Sequence, residues 1–259
     1  TIFASVLTTK TKTMTTKTLQ TTARIKKLLS DGSTNAKTKK NSLKSFILYL
    51  SPYTQNSFGK NVCANATKGC IDSCLFTAGM GSFSNVQKAR IAKTDYLLSD
   101  KGAFLDQLAK ELLYHYAKAK KAGERVAVRL NGTSDLDFFT LLQKYAQLDV
   151  TKLADHMAFY EYTKNINYIK RWEGAPNITY TFSKSESNAS LIPAAIAYGA
   201  NVAAVFRKEL PETYNVGGTE IPVIDGDTSD IIMLYNKGKI IGLRAKGKAK
   251  KDYSGFVID

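Results

Sequence analysis

Several features that would assign a protein to a common class are missing from this sequence. No run of about 18 apolar residues occurs, so we expect no helix that spans a membrane. The motifs GxSxG and GxGxxG and the P-loop are also absent, which disfavours the hydrolases, dinucleotide-binding enzymes and NTPases that carry them. The apolar stretch Thr1–Leu7 is too short for a signal peptide, and we therefore expect an intracellular protein.

The composition that remains is that of a folded protein. Of the 259 residues, 44% are hydrophobic and 23% are charged, which excludes a disordered or low-complexity chain. Residues 1–41 are rich in Thr and Lys without periodicity, which predicts a basic, flexible N-terminal arm with a short helix at Thr22–Leu29. We expect residues 42–259 to form a single α/β domain.

Positive charge is concentrated at the two ends of the chain. Lys and Arg number 37 against 22 Asp and Glu, a formal net charge of +15. Ten basic residues and one acid lie within 1–44, and residues 237–251 hold seven basic residues and no acid. This segregation predicts contact with a polyanion, most often nucleic acid, through the arm and residues 237–251. The alternative is a solvated basic surface.

The chain has three cysteines, Cys63, Cys70 and Cys74, and all lie in the segment NVCANATKGCIDSC. An odd number disfavours a closed set of disulfides and favours a metal site in a reducing compartment. Three thiolates can hold a [4Fe–4S] cluster and leave one iron open, as catalysis requires. We expect Lys68 and the Gly69 amide to lower the thiol pKa values and to donate hydrogen bonds to cluster sulfur. Zinc completed by His or Asp, and inert or redox-active thiols, are the alternatives.

Short apolar strands alternate with helical segments along the rest of the chain. This pattern predicts an α/β fold, either a partial (βα)6-type barrel or an open, mainly parallel sheet, with a doubly wound sheet as the alternative. The predicted strands are Ser45–Ser51, Arg125–Leu130, Met157–Tyr162, Ile178–Phe182 and segments within NVAAVFRK, IPVIDGD and KIIGLRAKG. The predicted helices include Asn85–Leu98, one through Phe104–Tyr116 ended by Gly123, Phe138–Ala146, Asn165–Trp172 and Asn188–Tyr198.

Polar residues follow the predicted strands where each strand ends. In a parallel sheet these ends share one edge, where ligand sites lie, so we expect the polar residues to converge with the cysteines. The predicted catalytic or ligand-orienting residues are Asn131, Ser134, Asp135, Ser183, Ser185, Glu186, Asp225 and Asp227. Arg129, Arg207 and Lys246 are candidates to neutralise an anionic group, and Tyr162 and Lys164 are candidates to bind the cofactor.

Each of these residues also has a structural interpretation. Ser, Asp and Asn after a strand are common helix N-caps, and Asp225-Gly226-Asp227 is typical of a turn. Tyr160 and Tyr162 lie on the same face of a strand and are expected in the core. Glu161 with Lys164 is interpreted as a solvated pair, His115 as a packed residue and His156 as a surface residue.

The motifs NVCANATKGCIDSCLFTAGMG, VRLNGTSD, FYEYTK, TFSKSES, VIDGDTSD and GLRAKGKAKKDYSGFV together resemble the bacteriophage "gene product 88" family. The likeness covers Ser45 to Val257 and implies a phage or prophage origin, and so the cytoplasm of a bacterial host, rather than a reaction. A more distant resemblance is to radical-SAM-like phage proteins, which implies S-adenosylmethionine as a ligand of the open iron. The spacing here, six and then three residues between cysteines, departs from the CxxxCxxC of those proteins.

Two hypotheses follow from the sequence. The first is an iron–sulfur enzyme with its cluster at the carboxyl ends of parallel strands. The second is a basic phage protein that binds nucleic acid and whose metal site is structural. Both hold if the substrate is a nucleic acid.

Overall fold

The computed structural model describes residues 25–34, 42–74, 76 and 79–259. Most of the predicted basic arm, and the first part of the helix predicted at Thr22–Leu29, lie outside these residues. Within them, residues 25–28 are not helical and Leu29 begins a strand. Leu28 and Leu29 are buried in the main core, so this part of the chain belongs to the folded domain.

The strands and helices alternate as the sequence predicts. The strands are β1 Leu29–Asp31, β2 Lys44–Leu48, β3 Val126–Arg129, β4 Met157–Thr163, β5 Ile178–Ser183, β6 Asn201–Phe206, β7 Thr213–Val216, β8 Thr219–Asp225, β9 Ile240–Arg244 and β10 Val257–Ile258. The helices are α1 Lys68–Asp72, α2 Ser84–Ser99, α3 Lys101–Ala122, α4 Phe138–Ala146, α5 Ile166–Arg171 and α6 Ile192–Ala197. None of the described helices is long and apolar enough to cross a membrane.

The strands form one open, mostly parallel sheet in the order β1-β2-β3-β4-β5-β6-β9-β8-β7. Pairing is parallel from β2 through to β8, and antiparallel where β1 meets β2 and β7 meets β8. The short β10 pairs in parallel with the last residues of β6. The predicted α/β class with a mainly parallel sheet is therefore confirmed.

The two faces of the sheet are covered differently. Alternate strand residues such as Val126 and Val128 pack with the helices in a large apolar core. The intervening residues, including Ala127 and Tyr160, pack instead against the turn that follows β8, through Ile231 and Met233. Because that turn crosses the sheet, residues from the β8 end of the fold reach β3 and β4.

The antiparallel hairpin β7–β8 turns on two consecutive glycines, Gly217 and Gly218. Their φ angles are +58° and +92°, a backbone region in which side chains other than glycine are strained. A Gly–Gly pair between two strands is a typical hairpin turn, and this one places β7 at the edge of the sheet.

Candidate functional site

The three cysteines lie beside the carboxyl end of the sheet, in the connection from β2 to α2. Cys63 forms an isolated parallel bridge with Asp135, and the Asp135 amide donates to the Val62 carbonyl at 2.9 Å. Cys70 lies within α1, whose N-cap Thr67 accepts from the Cys70 amide at 3.4 Å. Cys74 follows the end of that helix. We call this group of residues and the strand ends around it the cysteine site.

None of the three cysteines forms a disulfide, and each is partly buried. Burial raises the pKa of Cys63 to about 12, and negative charge on Asp135, Cys74 and Cys70 adds to the effect. The three thiols therefore lie near enough to repel one another when ionised. Burial therefore disfavours the thiolate forms of Cys63 and Cys74, and nearby positive charge would stabilise them.

Hydrogen-bond donors and cations lie around two of the sulfur atoms. The Tyr53 amide donates to Cys63 Sγ at 3.4 Å. Burial raises the pKa of Cys74, while the Phe76 amide and the charges of Arg90 and Lys164 oppose that rise. Both sulfurs thus have partners that favour the thiolate form.

The thiols are not arranged around a common centre in this conformation. Within the described ranges, no group of three or more His, Cys, Asp or Glu side chains is positioned to hold a metal ion. The histidines lie elsewhere, since His115 stacks on Phe46 at 3.7 Å and His156 precedes β4, where its Nδ1 contacts the Glu124 carbonyl.

Glu186, from the loop after β5, holds the start of α1. Its carboxylate accepts from the Gly69 amide at 2.8 Å and from Thr67 Oγ1 at 2.7 Å. Although burial opposes it, these bonds keep the pKa of Glu186 below its usual value. The Gly69 amide, expected to donate to cluster sulfur, donates to Glu186 instead, and Lys68 points to solvent and pairs with Asp72.

Position 69 has room only for glycine, because residues 254–256 pack directly on it. A Cβ atom there would lie 2.3 Å from Ser254 Oγ and 2.7 Å from Phe256 Cβ. Lys184 Nζ donates to the Gly255 carbonyl at 2.8 Å and fixes the same segment. Residues 254–256 therefore form one wall of the cysteine site.

The loop after β3 is shaped by a buried carboxylate that the sequence interpretation missed. Glu161 is fully buried, and its two oxygens accept from the backbone amides of Leu130 and Asn131. Burial raises the pKa of Glu161 to about 7, against the opposing effects of these amides and of Arg129. Asn131 Oδ1 in turn accepts from Ser134 Oγ at 2.9 Å. Glu161 is therefore part of the support for this loop and not half of a solvated pair.

Asp135 joins that loop to the end of β4. Its Oδ1 accepts from Thr163 Oγ1 at 2.7 Å and its Oδ2 from the Lys164 amide at 2.9 Å. Burial raises the pKa of Asp135, and these two bonds oppose the rise. Both carboxylate oxygens thus have protein partners while the backbone of Asp135 holds Cys63 in place.

The ends of β4 and β5 add a lysine and two serines. Lys164 Nζ donates to Ser183 Oγ at 2.9 Å and lies 5.8 Å from the centre of the Phe256 ring. Ser185 is 1% exposed, and its Oγ has no hydrogen-bond partner in the described part of the chain. The structure thus brings these predicted residues into connected strand ends: Cys63, Cys70, Cys74, Gly69, Asn131, Ser134, Asp135, Lys164, Ser183, Ser185 and Glu186.

The predicted residues Asp225, Asp227, Arg207 and Lys246 form ion pairs. Arg244 Nη1 binds Asp225 Oδ2 at 2.9 Å, and Lys246 Nζ binds Asp227 Oδ1 at 2.7 Å. Arg207 pairs with Asp259. The first two pairs are partly exposed at the ends of β8 and β9, and the third lies at the ends of β6 and β10.

Arg129 and Tyr162 lie on the sheet face that the turn after β8 covers. Arg129 Nη1 binds Asp230 Oδ2 at 3.3 Å, and its guanidinium lies 4.6 Å from the Tyr162 ring centre. Burial raises the pKa of Tyr162, and the negative charge of Asp230 adds to the rise. Arg129 therefore has its counter-ion within the protein.

A second residue that the sequence interpretation missed is Arg90, on α2. Its guanidinium carbon lies 4.8 Å from the Tyr49 ring centre and 5.9 Å from that of Phe76. Its Nη1 is buried and has no hydrogen-bond partner among the described residues. One arginine on a helix rich in polar residues carries no sequence signal that separates it from a surface residue.

Comparison with known proteins adds a family and no reaction. A family model described as Gene product 88 matches residues 17–259, nearly the whole chain. No curated protein and no solved structure matches.

Proposed function

This chain belongs to the Gene product 88 family, and we propose that it is a phage-type iron–sulfur protein whose Cys63, Cys70 and Cys74 hold a [4Fe–4S] cluster. The observation that carries the proposal is the position of three cysteines, none of them in a disulfide, in one segment beside the carboxyl ends of parallel strands. Thiolates at the buried positions Cys63 and Cys74 require nearby positive charge, which a metal centre supplies. Binding requires the three side chains to turn toward a common centre.

The donor set suits iron–sulfur chemistry better than a closed zinc site. Structural zinc sites usually have four protein ligands, whereas this segment offers three thiols and no histidine. A cluster held by three thiolates has an iron that can bind a further ligand, and it supplies electron transfer or Lewis-acid chemistry when bound. The amides of Tyr53 and Phe76 donate toward the sulfur atoms, as they do around thiolate ligands.

The residues around the thiols would bind and orient that further ligand. Lys164 and Ser183 present a linked ammonium and hydroxyl, and Ser185 presents a buried hydroxyl that has no hydrogen-bond partner among the described residues. S-adenosylmethionine is the ligand that we propose to test first, with an enzyme as the expected class of protein.

Anaerobic preparation of the full chain, followed by iron and sulfide analysis, tests the proposal. We expect iron and inorganic sulfide in equal amounts, a visible absorption band and an EPR signal after reduction. Cys63→Ser, Cys70→Ser and Cys74→Ser should each lower the cluster content strongly. Asp72→Asn is the matched control, since Asp72 lies on α1 between two of the cysteines and pairs with the exposed Lys68.

Three results would contradict the proposal. They are folded protein without iron, zinc without sulfide, and cluster content that survives any one of the three serine substitutions while the fold is intact. Addition of S-adenosylmethionine to loaded protein, followed by EPR, then tests the choice of ligand, and an unchanged spectrum excludes it.

A second candidate function, nucleic-acid binding, is favoured by one surface. The turn Gly247–Lys251 carries Lys248, Lys250 and Lys251, and the basic residues Arg244 and Lys246 precede it. Next to the turn, Tyr253 is 82% exposed, and Arg207 lies 4.4 Å from its ring centre. Cations beside an exposed aromatic ring are typical of surfaces that bind single-stranded nucleic acid.

The salt dependence of binding to an oligonucleotide tests this second candidate. Lys248→Gln, Lys250→Gln and Lys251→Gln together should reduce the slope of log K against log salt by about two. A triple variant at Lys110, Lys118 and Lys121 of α3 makes the same charge change elsewhere. Equal effects of the two triple variants would contradict a site at this turn.

The predicted arm is tested by truncation. Removal of residues 1–24 keeps the buried Leu28 and Leu29 and deletes the basic segment before them. Oligonucleotide affinity should fall, and the effect should shrink at high salt. Unchanged affinity would contradict a role for the arm.

A further inference from the structure

Among the described residues, Tyr253 is the large apolar or aromatic side chain most open to solvent. It is 82% exposed, whereas tyrosine in a folded protein usually buries much of its ring. The guanidinium carbon of Arg207 lies over the ring, 4.4 Å from its centre. One face of the ring therefore rests on a cation of the protein, and the rest of the ring faces solvent.

Arg207 is fixed beside the ring by acceptors of its own. Its Nη1 donates to the Lys250 carbonyl at 3.0 Å and its Nη2 to the Asp252 carbonyl at 2.6 Å, while its Nε donates to the Asp259 carboxylate. The side chain of Arg207 is only 14% exposed. Each of the three guanidinium nitrogens thus donates to the protein, so Arg207 supports the ring from a fixed position.

The backbone on both sides of the ring is also held by hydrogen bonds. Asp252 Oδ2 accepts from the Val257 amide at 3.1 Å, and Asp252 Oδ1 accepts from Ser254 Oγ at 2.8 Å. Lys184 Nζ donates to the Gly255 carbonyl at 2.8 Å. A ring on a backbone that is already ordered loses little conformational entropy when a partner stacks on it.

The lysines of the preceding turn supply positive charge for a ligand. Lys248, Lys250 and Lys251 are exposed, and their ammonium groups form no ion pair within the described part of the chain. Arg244 and Lys246, in contrast, already pair with carboxylates at the end of β8. The three lysines are therefore the cations next to the ring that are available to phosphates.

We propose that Tyr253 stacks on one unpaired base of a single-stranded nucleic acid, and that the three lysines bind the neighbouring phosphates. The inference rests on the proposed nucleic-acid function and names its substrate as single strands. An unpaired base can offer its flat face to an aromatic ring, whereas the bases of a duplex are stacked on one another and present their edges. Because every base has such a face, we expect little dependence on sequence.

Fluorescence anisotropy with the full chain and labelled oligonucleotides at one salt concentration tests the stack. The strands are oligothymidine, an abasic strand with the same number of phosphates, and the oligothymidine duplex with oligoadenosine. Tyr253→Ala should raise the Kd for oligothymidine roughly tenfold, because base–aromatic stacking is lost. Tyr253→Phe, which keeps the ring, should bind like wild type, and the abasic strand should bind wild type and Tyr253→Ala equally. Oligouridine in place of oligothymidine distinguishes RNA from DNA as the source of the base.

Tyr235→Ala is the matched control. Tyr235 is 64% exposed and precedes the amino end of β9, where the adjacent Asn236 carbonyl accepts from Asn201 at the start of β6. Tyr253 lies instead with Arg207 beyond the carboxyl end of β6. The control removes an exposed ring from the opposite end of the sheet and should leave the Kd unchanged.

Three results would overturn the stack. They are an equal Kd for wild type and Tyr253→Ala, equal effects of Tyr253→Ala and Tyr235→Ala, and wild-type binding of the abasic strand or the duplex that is as tight as that of oligothymidine.

The stack and the nucleic-acid function fail differently. If oligothymidine binds through the three lysines while Tyr253→Ala has no effect, the function stands and the stack is wrong. If no strand binds to wild type, both are wrong.

Discussion

The carboxyl ends of β3–β5 and those of β8–β9 carry the same types of residue in different physical states. At β3–β5, Asp135 and Glu161 are buried and accept from backbone amides and a hydroxyl. At β8–β9, Asp225 and Asp227 pair with Arg244 and Lys246 near solvent. The carboxylates at β3–β5 hold the loops beside the three cysteines, whereas those at β8–β9 form ion pairs with neighbouring basic residues.

A polar residue after a strand is therefore not by itself a sign of a ligand site. Both regions satisfy that sequence rule equally well. Burial separates them, because a buried carboxylate must be bonded by protein groups and so fixes the backbone around it. A surface carboxylate can bind water instead of protein groups, so it constrains the surrounding backbone much less.

The strongest test of this contrast is Asp230→Ala. Asp230 is five residues after Asp225, yet the turn carries it onto Arg129 on the covered face of the sheet. Loss of the carboxylate leaves a buried guanidinium without its counter-ion, which should lower the free energy of unfolding by roughly 3–5 kcal/mol. Urea denaturation measures the change, and a loss no larger than that of Asp225→Ala would contradict the distinction.

A smaller effect is expected from pH acting on Glu161. Its pKa is about 7 in the folded protein and near 4.5 when exposed, so the folded state holds a proton that the unfolded state has released. Protonated Glu161 therefore stabilises the folded state fully below about pH 4.5. This stabilisation, on the order of 3 kcal/mol in the free energy of unfolding, is lost as the pH rises through 7. Unfolding free energy measured across this range should fall with pH in wild type and stay flatter in Glu161→Gln. Identical slopes would show that another group titrates.

The next effect in size is expected from Gly69→Ala. It should lower the free energy of unfolding by roughly 1–3 kcal/mol, because the new Cβ atom would clash with Ser254 and Phe256. Limited proteolysis should also cut the chain near residues 252–257 sooner, since their packing is displaced. Gly102→Ala is the matched control, because its Cβ would have Asp100 Oδ1 as its nearest neighbour, at 3.8 Å within α3. Helix propensity predicts equal or higher stability for that variant. Equal losses for both would contradict the close contact at Gly69.

The smallest effect is expected from Asp225→Ala. The pair with Arg244 is partly exposed on both sides, so water and salt already screen it. The unfolding midpoint should stay close to that of wild type, and high salt should remove the remaining difference. A decrease in the free energy of unfolding as large as that of Asp230→Ala would mean that Asp225 and Asp230 stabilise the fold equally, which would contradict the distinction.

Much of the fold follows from short-range sequence patterns. The predicted strand Met157–Tyr162 is observed at Met157–Thr163, and the predicted helix Phe138–Ala146 is observed with those bounds. Apolar periodicity marks such elements because each one buries a face of its own. The edge strands β1, β7 and β10 were missed, since short or polar segments become strands only when a neighbour offers a partner.

The candidate site was predictable in part for the same reason. The cysteines and the residues after β3, β4 and β5 could be found because the carboxyl ends of parallel strands share an edge. Glu161 and Arg90 could not, because alternation along β4 does not reveal that a carboxylate is enclosed. Nor does a helix pattern reveal which arginine turns inward.

Sequence patterns alone predict the α/β class with a mainly parallel sheet, the positions of the central strands along the chain and the single short segment that holds every thiol. The tertiary structure alone decided which charges are sealed from water and which ones meet each other. Periodicity and spacing act within one element, whereas desolvation and pairing depend on atoms that the chain brings together from distant positions. That is why Asp225 and Asp230, only five residues apart in the sequence, differ: Asp230 pairs with buried Arg129, and Asp225 pairs with partly exposed Arg244.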